Sequence, residues 1–166
     1  DVFSNEKNNW FVSDKSLIKL EGNKYVSEKI TFPSSNAKIQ ALIIDGDIEY
    51  FGTNQGLWSR QNNRNAKLIK DINVLCLDRT SDGLIIVGAK KGFYYLRNGA
   101  LKKITPDGQD YLSLSKTAVR DIEVISENEI WYATFGMGLL LHDPGTFTNI
   151  NSKNSLDVGG MTFDLE

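Results

Sequence analysis

Three features of the sequence predict an all-β protein: a motif recurring at spacings of 36–45 residues, period-two apolar alternation between tight turns, and no stretch with a sustained helical period. Together they predict about four blades of four antiparallel strands each, the repeating units of a β-propeller that continues into a larger ring.

The motif is clearest in Asp45–Trp58, Asp82–Tyr94 and Asn128–Leu140, with a degenerate copy over Asn8–Ile18. Val12, Gly52, Gly88 and Ala133 occupy matching positions, 40, 36 and 45 residues apart, a spacing that suits one four-stranded blade. Each copy opens on an apolar strand: Ile39–Ile44, Ile72–Leu77 and Val119–Ile125. An Asp-Gly or Asn turn follows. The second strand is aromatic or β-branched and ends in a small residue, which permits close approach of backbones or of the next blade. Gly56, Gly92 and Gly138 mark the next turn. Third strands begin at Leu17, Leu57, Phe93 and Leu139. More polar fourth strands are expected over Lys24–Lys29, Ala66–Ile69, Ala100–Ile104 and Phe147–Ile150. The blades then run approximately over 1–38, 39–71, 72–118 and 119–155, with a further first strand beginning within 156–166.

The motif resembles the two-component-regulator propeller repeat, whose blade reads apolar-Trp-apolar-Gly-Thr, two variable residues, Gly-Leu. Tyr50-Phe51-Gly52-Thr53-Asn54-Gln55-Gly56-Leu57 is the nearest copy. Ile130-Trp131-Tyr132-Ala133-Thr134 with Gly138-Leu139 carries one extra residue, Ile86–Phe93 lacks the Thr and Leu, and the first copy lacks both glycines. The Gly-His/Trp-Asp pair, the paired-Gly kelch motif and the Ser-x-Asp-x-Gly-x-Thr-Trp box are absent. The resemblance implies an extracytoplasmic, periplasmic location in a bacterial two-component sensor, ahead of a transmembrane helix and a histidine kinase. It also implies a sensing role that responds to glycan-derived oligosaccharides.

Composition sets limits. The 166 residues are 40% hydrophobic and 24% charged, enough for a packed core. A net charge of −2 gives no footprint for nucleic acid, and no apolar run approaches the ~20 residues of a membrane span, so any membrane attachment comes from a segment not present here. Cys76 stands alone in an apolar strand and reads as a buried thiol.

Catalytic chemistry finds little support, and a non-enzyme is expected. His142 is the only histidine and has no Cys or His near it in sequence, so no metal is expected. Asp45 and Asp47 flank Gly46 as a hairpin turn, not a calcium loop, and no cofactor is implied. Gly136-Met137-Gly138 and Gly159-Gly160 read as turns. Trp10, Trp131, Tyr50 and Phe51 are expected between blades, while Trp58 could face a blade or solvent.

Ligand contacts are expected on the face where second-to-third-strand turns meet inter-blade connections, because rigid strands hold variable loops there. The candidate residues are Asp14 and Lys15, Asn54 and Gln55, Lys90 and Lys91, and Phe135. Two roles remain open: a ligand-sensing or assembly module, or a structural or protein-interaction propeller of an envelope or secretion assembly. Expected partners are the remaining blades of the same polypeptide or a second copy, and an oligosaccharide. An incomplete ring would expose end faces bearing Trp10, Phe11, Trp131 and Leu140.

Overall fold

Turn residues and alternating apolar positions fold the chain into four separate four-stranded antiparallel sheets, each ordered as a simple meander. The computed structural model describes residues 2–5, 8–21, 23–62, 64–104, 116–143 and 146–150. The further first strand expected within 156–166 lies outside these residues, as do Gly159 and Gly160.

Blade 1 comprises β1 (Val2–Asn5), β2 (Asn8–Ser13), β3 (Ser16–Glu21) and β4 (Lys24–Lys29). Blade 2 comprises β5 (Ile39–Asp45), β6 (Ile48–Thr53), β7 (Gly56–Gln61) and β8 (Lys67–Lys70). Blade 3 comprises β9 (Val74–Arg79), β10 (Ile85–Ala89), β11 (Gly92–Arg97) and β12 (Ala100–Lys103). Blade 4 comprises β13 (Val119–Ser126), β14 (Glu129–Thr134), β15 (Gly138–Asp143) and β16 (Thr146–Ile150). The third blade's first strand starts two residues later than its apolar run suggests, because Asp71-Ile72-Asn73 forms the connection into it.

Two compact units result, Asp1–Val74 and Leu75–Glu166. In the first, Trp10 and Leu17 of blade 1 pack with Leu42, Phe51 and Trp58 of blade 2, and Ile30, Phe32 and Ala37 of the connection complete the core. Phe32 lies edge-on to Phe51 at 5.8 Å between ring centroids and tilted against Trp58 at 5.4 Å, spacings that favour aromatic pairs. In the second unit, Cys76, Ile86 and Phe93 pack with Val119, Ile122, Tyr132 and Leu140. Phe93 and Tyr132 stack at 4.8 Å.

Every residue of β10 is buried, so its apolar run is continuous instead of alternating. That strand ends where the expected small residue is essential. A Cβ at Gly88 would overlap Cys76 Sγ and lie 3.0 Å from Val119 Cγ1 and 3.2 Å from Ile122 Cδ1. Gly52 is confined in the same way, since a Cβ there would sit 2.5 Å from Val74 Cγ1. Ala133, the matching residue of blade 4, is only half-buried and can carry a methyl group.

The register also decides which aromatic faces which side. Trp10 pairs with Lys19, and Phe11 pairs with Ile18. Trp10 therefore turns toward blade 2 and is buried, while Phe11 points to the opposite side of the sheet and is half-buried. Likewise Leu140 pairs with Tyr132 and is buried against blade 3, while Trp131 pairs with Leu141 on the other face. Trp10 and Leu140 thus do not belong to exposed end faces. The opposite faces of these sheets carry Phe11, Ile18 and Leu20 on blade 1, and Trp131, Leu139 and Leu141 on blade 4, all half-buried. Trp58 faces the core.

A charged residue bridges the third and fourth blades. Asp78 accepts the backbone N–H of Val124 at 2.8 Å and that of Arg79 at 2.7 Å. Burial raises its carboxyl above the usual range, partly offset by these two hydrogen bonds. The folded protein therefore binds this proton more tightly than the unfolded chain. Its contribution to stability is greatest below the ordinary carboxylate pKa and declines as pH rises through the raised folded value.

Two outcomes follow from this packing. Gly88→Ala should destabilise the chain by about 1–3 kcal/mol, and the added Cys76→Ala change should recover part of that loss, measured by urea unfolding. An equal loss in the presence and absence of Cys76 would contradict the crowding. Asp78→Asn, which keeps one of the two acceptor oxygens, should flatten the pH dependence of thermal stability above pH 4, and Asp78→Ala, which keeps neither, should have the lower melting temperature of the two. An unchanged pH profile in Asp78→Asn would remove Asp78 as the titrating group.

Candidate functional site

The turns and connections of each unit converge through backbone hydrogen bonds. In the first unit, Ile39 N–H donates to Asp14 O at 2.8 Å, and Asn54 N–H donates to Lys38 O at 3.2 Å. In the second, Gly92 N–H donates to Thr117 O at 2.6 Å, and Phe135 N–H donates to Ala118 O at 2.9 Å. Asn54 and Phe135 match in the repeat, as do Lys38 and Ala118, so the same clasp recurs. It satisfies groups that a connecting segment would otherwise leave to water. Second-to-third-strand turns and inter-blade connections therefore share one face within each unit.

Side chains use this face differently in the two units. In the first, Asn54 Oδ1 accepts the Lys38 N–H at 2.7 Å and Asn54 Nδ2 donates to Asn36 O at 3.3 Å. Ser34 Oγ donates to Gln55 Oε1, and Lys15 Nζ donates to Ser35 O. Asp14 pairs with Lys38 at 2.8 Å, with both side chains largely exposed. Asp14, Lys15, Asn54 and Gln55 are thus brought together around the 34–38 connection, and each is engaged with it. An exposed pair such as Asp14–Lys38 adds at most about 1 kcal/mol.

In the second unit, Lys90 and Lys91 are exposed at the tip of the β10–β11 turn, and Phe135 is 70% exposed at the β14–β15 turn. The Arg120 guanidinium lies 5.5 Å from the Phe135 ring centroid, a cation–π contact. Arg120 escaped the sequence reading. It is the extra residue of a β-bulge between Val119 and Asp121, a device that re-aims one side chain out of the ladder.

A second feature of the first unit also escaped notice. Arg60 is almost fully buried and makes hydrogen-bonded ion pairs with Glu28 of blade 1 and Glu49 of its own blade. Burial alone would lower the guanidinium pKa, but the hydrogen bonds and charges of Glu49 and Glu28 outweigh it and hold the pKa above its ordinary value. A cleft of about 840 Å³ beside this triad is lined by Trp10, Lys19, Glu28, Asp47, Glu49 and Asn62 among others. No sequence motif links Glu28 to Arg60, which are 32 residues apart.

The groups weighed for catalysis are structurally placed. His142 is half-buried within β15, paired with Ile130 and Phe147. Asp45-Gly46-Asp47 forms the β5–β6 turn. Cys76 is buried, its Sγ 3.7 Å from Val119 O, and burial pushes its thiol pKa far up, so it is a poor nucleophile. Among the described residues no group of three or more His, Cys, Asp or Glu side chains could hold a metal ion. No helix of the described residues is long and apolar enough to cross a membrane.

Solved structures share this architecture. The extracellular domain of the one-component system BT4673 from B. thetaiotaomicron matches with a TM-score of 0.68 at 19% identity, over 90% of this chain and 22% of that one. The extracellular domain of the hybrid two-component system BT3049 from B. thetaiotaomicron matches at 0.67 and 12% identity, over 91% and 24%. PorZ, an essential bacterial surface component of the type-IX secretion system of Porphyromonas gingivalis, matches at 0.66 and 17% identity, over 92% and 27%. The chain thus spans about a quarter of the length of these proteins. No family model matches the chain, and no curated protein matches it. At these identities the likeness defines the fold: the chain is part of a β-propeller.

The clasp and the triad each give an expected outcome. Asn54→Ala should cost about 1 kcal/mol in urea unfolding, whereas Lys90→Ala should cost nothing measurable. Arg60→Ala should cost about 2–3 kcal/mol, because it strands the mostly buried Glu49 while Glu28, 41% exposed, regains water, and replacing all three members with Met should be close to neutral. Equal losses for the single and triple variants would contradict the assignment of the charge network.

Proposed function

We propose that this chain is a ligand-sensing part of the extracytoplasmic region of a bacterial sensor protein, and that it recognises an oligosaccharide by binding without catalysis. The observation that carries this reading is the clasped loop face. Backbone bonds fix the turn tips, yet Lys90, Lys91 and Phe135 remain in solvent, where a polar ligand with a flat apolar side can meet charge and an aromatic ring together. Asp14, Lys15, Asn54 and Gln55 form the corresponding polar rim of the first unit. The repeat motif and the fold shared with extracellular domains of bacterial sensor systems support the same reading. In such a protein the site lies outside the membrane, and attachment and output come from segments beyond this one. A net charge of −2 argues against a nucleic-acid ligand.

A second reading is a structural or protein-interaction propeller of an envelope or secretion assembly. The likeness to PorZ favours it, as do the half-buried apolar faces of blades 1 and 4. Its partners are further blades of the same polypeptide or a second copy of the chain.

A thermal-shift panel of oligosaccharides separates the two. A cognate sugar at one hundred times its Kd should stabilise the folded state by about 2.7 kcal/mol, a rise of several degrees. No shift with any sugar, together with capture of a defined envelope protein, would replace the first reading with the second.

A further inference from the structure

The second unit concentrates positive charge where the proposed ligand would sit. Lys90 and Lys91 are exposed at one turn, and Lys116 is exposed near the end of the connection into blade 4, three residues before β13. The Gly92 N–H to Thr117 O bond places that turn directly beside this connection. Arg120 is exposed two residues after Ala118, whose carbonyl accepts the Phe135 N–H. Four cations and one exposed ring therefore border a single short segment, 116–120. The neighbouring carboxylate among the described residues is Asp121, half-buried, with Oδ1 accepting the Ile122 N–H at 3.0 Å. The whole chain is acidic, so this concentration of cations runs against its average.

A multiply charged anion is attracted by several cations on one loop face together. Arg120 is held by its stack on Phe135 and presents a planar fork suited to carboxylate or sulfate oxygens. Phe135 remains 70% exposed beside it, so a ring with an apolar face can lie on the aromatic while its acid group meets the cations. We infer that Lys90, Lys91, Lys116, Arg120 and Phe135 form a binding site for an acidic oligosaccharide, one bearing carboxylate or sulfate groups. This rests on the saccharide-sensing reading and adds the ligand's charge and two residues, Lys116 and Arg120. The acidity of the chain as a whole disfavours a long nucleic acid, whose phosphates would be repelled beyond the patch.

Isothermal titration of the chain with trigalacturonate, a sulfated disaccharide, neutral galactotriose, a short polyglutamate peptide and a single-stranded oligonucleotide tests the inference. At least one acidic sugar should bind ten-fold or more tightly than galactotriose, and its binding should weaken with added salt. Lys90→Gln with Lys91→Gln, and separately Arg120→Gln, should weaken it ten-fold or more. Phe135→Ala should also weaken it, and Lys102→Gln, an exposed cation on β12, should leave it unchanged. Each variant is to keep the parent melting temperature. Galactotriose binding as tightly as the acidic sugars would overturn the charge requirement while the saccharide reading stood. Tighter binding of polyglutamate or oligonucleotide would overturn the saccharide class. Acidic-sugar binding that survives all the patch variants would overturn the site, and binding of none of the probes would overturn the inference entirely.

Discussion

The second unit depends on how closely its two sheets can approach at the end of β10. Gly88 leaves room for Val119 and Ile122, and only hydrogen occupies the space where a Cβ would collide. At Gly52 a Cβ would likewise meet Val74 Cγ1 at 2.5 Å. The contact at Gly88 lets Ile86, Phe93, Tyr132 and Leu140 join one cluster. Protein interiors are close-packed, so a missing methyl group at such a point decides whether the surrounding residues meet at all.

The connections inherit their path from it. Once two sheets are seated, the segment joining them must cross at the turn-bearing edge. There its backbone finds partners in the turn before and the turn after. In the first unit this segment also contributes Ile30, Phe32 and Ala37 to the core, so packing and hydrogen bonding fix it together. Loops held in this way can carry exposed side chains without losing their positions. Binding residues on such loops are ordered before a ligand arrives, which lowers the entropy cost of binding.

Much of this was legible in the sequence, and the remainder was not for identifiable reasons. Spacing and turn residues pointed to four-stranded antiparallel units, because glycine and the Asp-Gly or Asn turns act through local backbone geometry. The matching of Gly52, Gly88 and Ala133 pointed to a close approach without saying what approached. Face assignment was harder: the period in a strand is two, so a reading off by one residue moves Trp10 or Leu140 to the wrong side. Arg120 was hidden because a bulge breaks that period. The Arg60–Glu28–Glu49 triad was hidden because its members come from different blades and no local rule pairs them. On the loop face, the turns were found but not the division of labour. Asn54 and Gln55 bond to the connection, whereas Lys90, Lys91 and Phe135 extend into solvent, and residue type alone does not separate these roles.

The central claim is that seated blades hold the loop face rigid through the recurring clasp. Native-state hydrogen exchange at the Asn54, Gly92 and Phe135 amides tests it most directly, since each is a clasp donor lying in or beside an exposed turn. The account predicts protection at these amides close to that of core amides such as Phe51 and Val87. Exchange at the rate of an unprotected turn, with Phe51 and Val87 still protected, would contradict it.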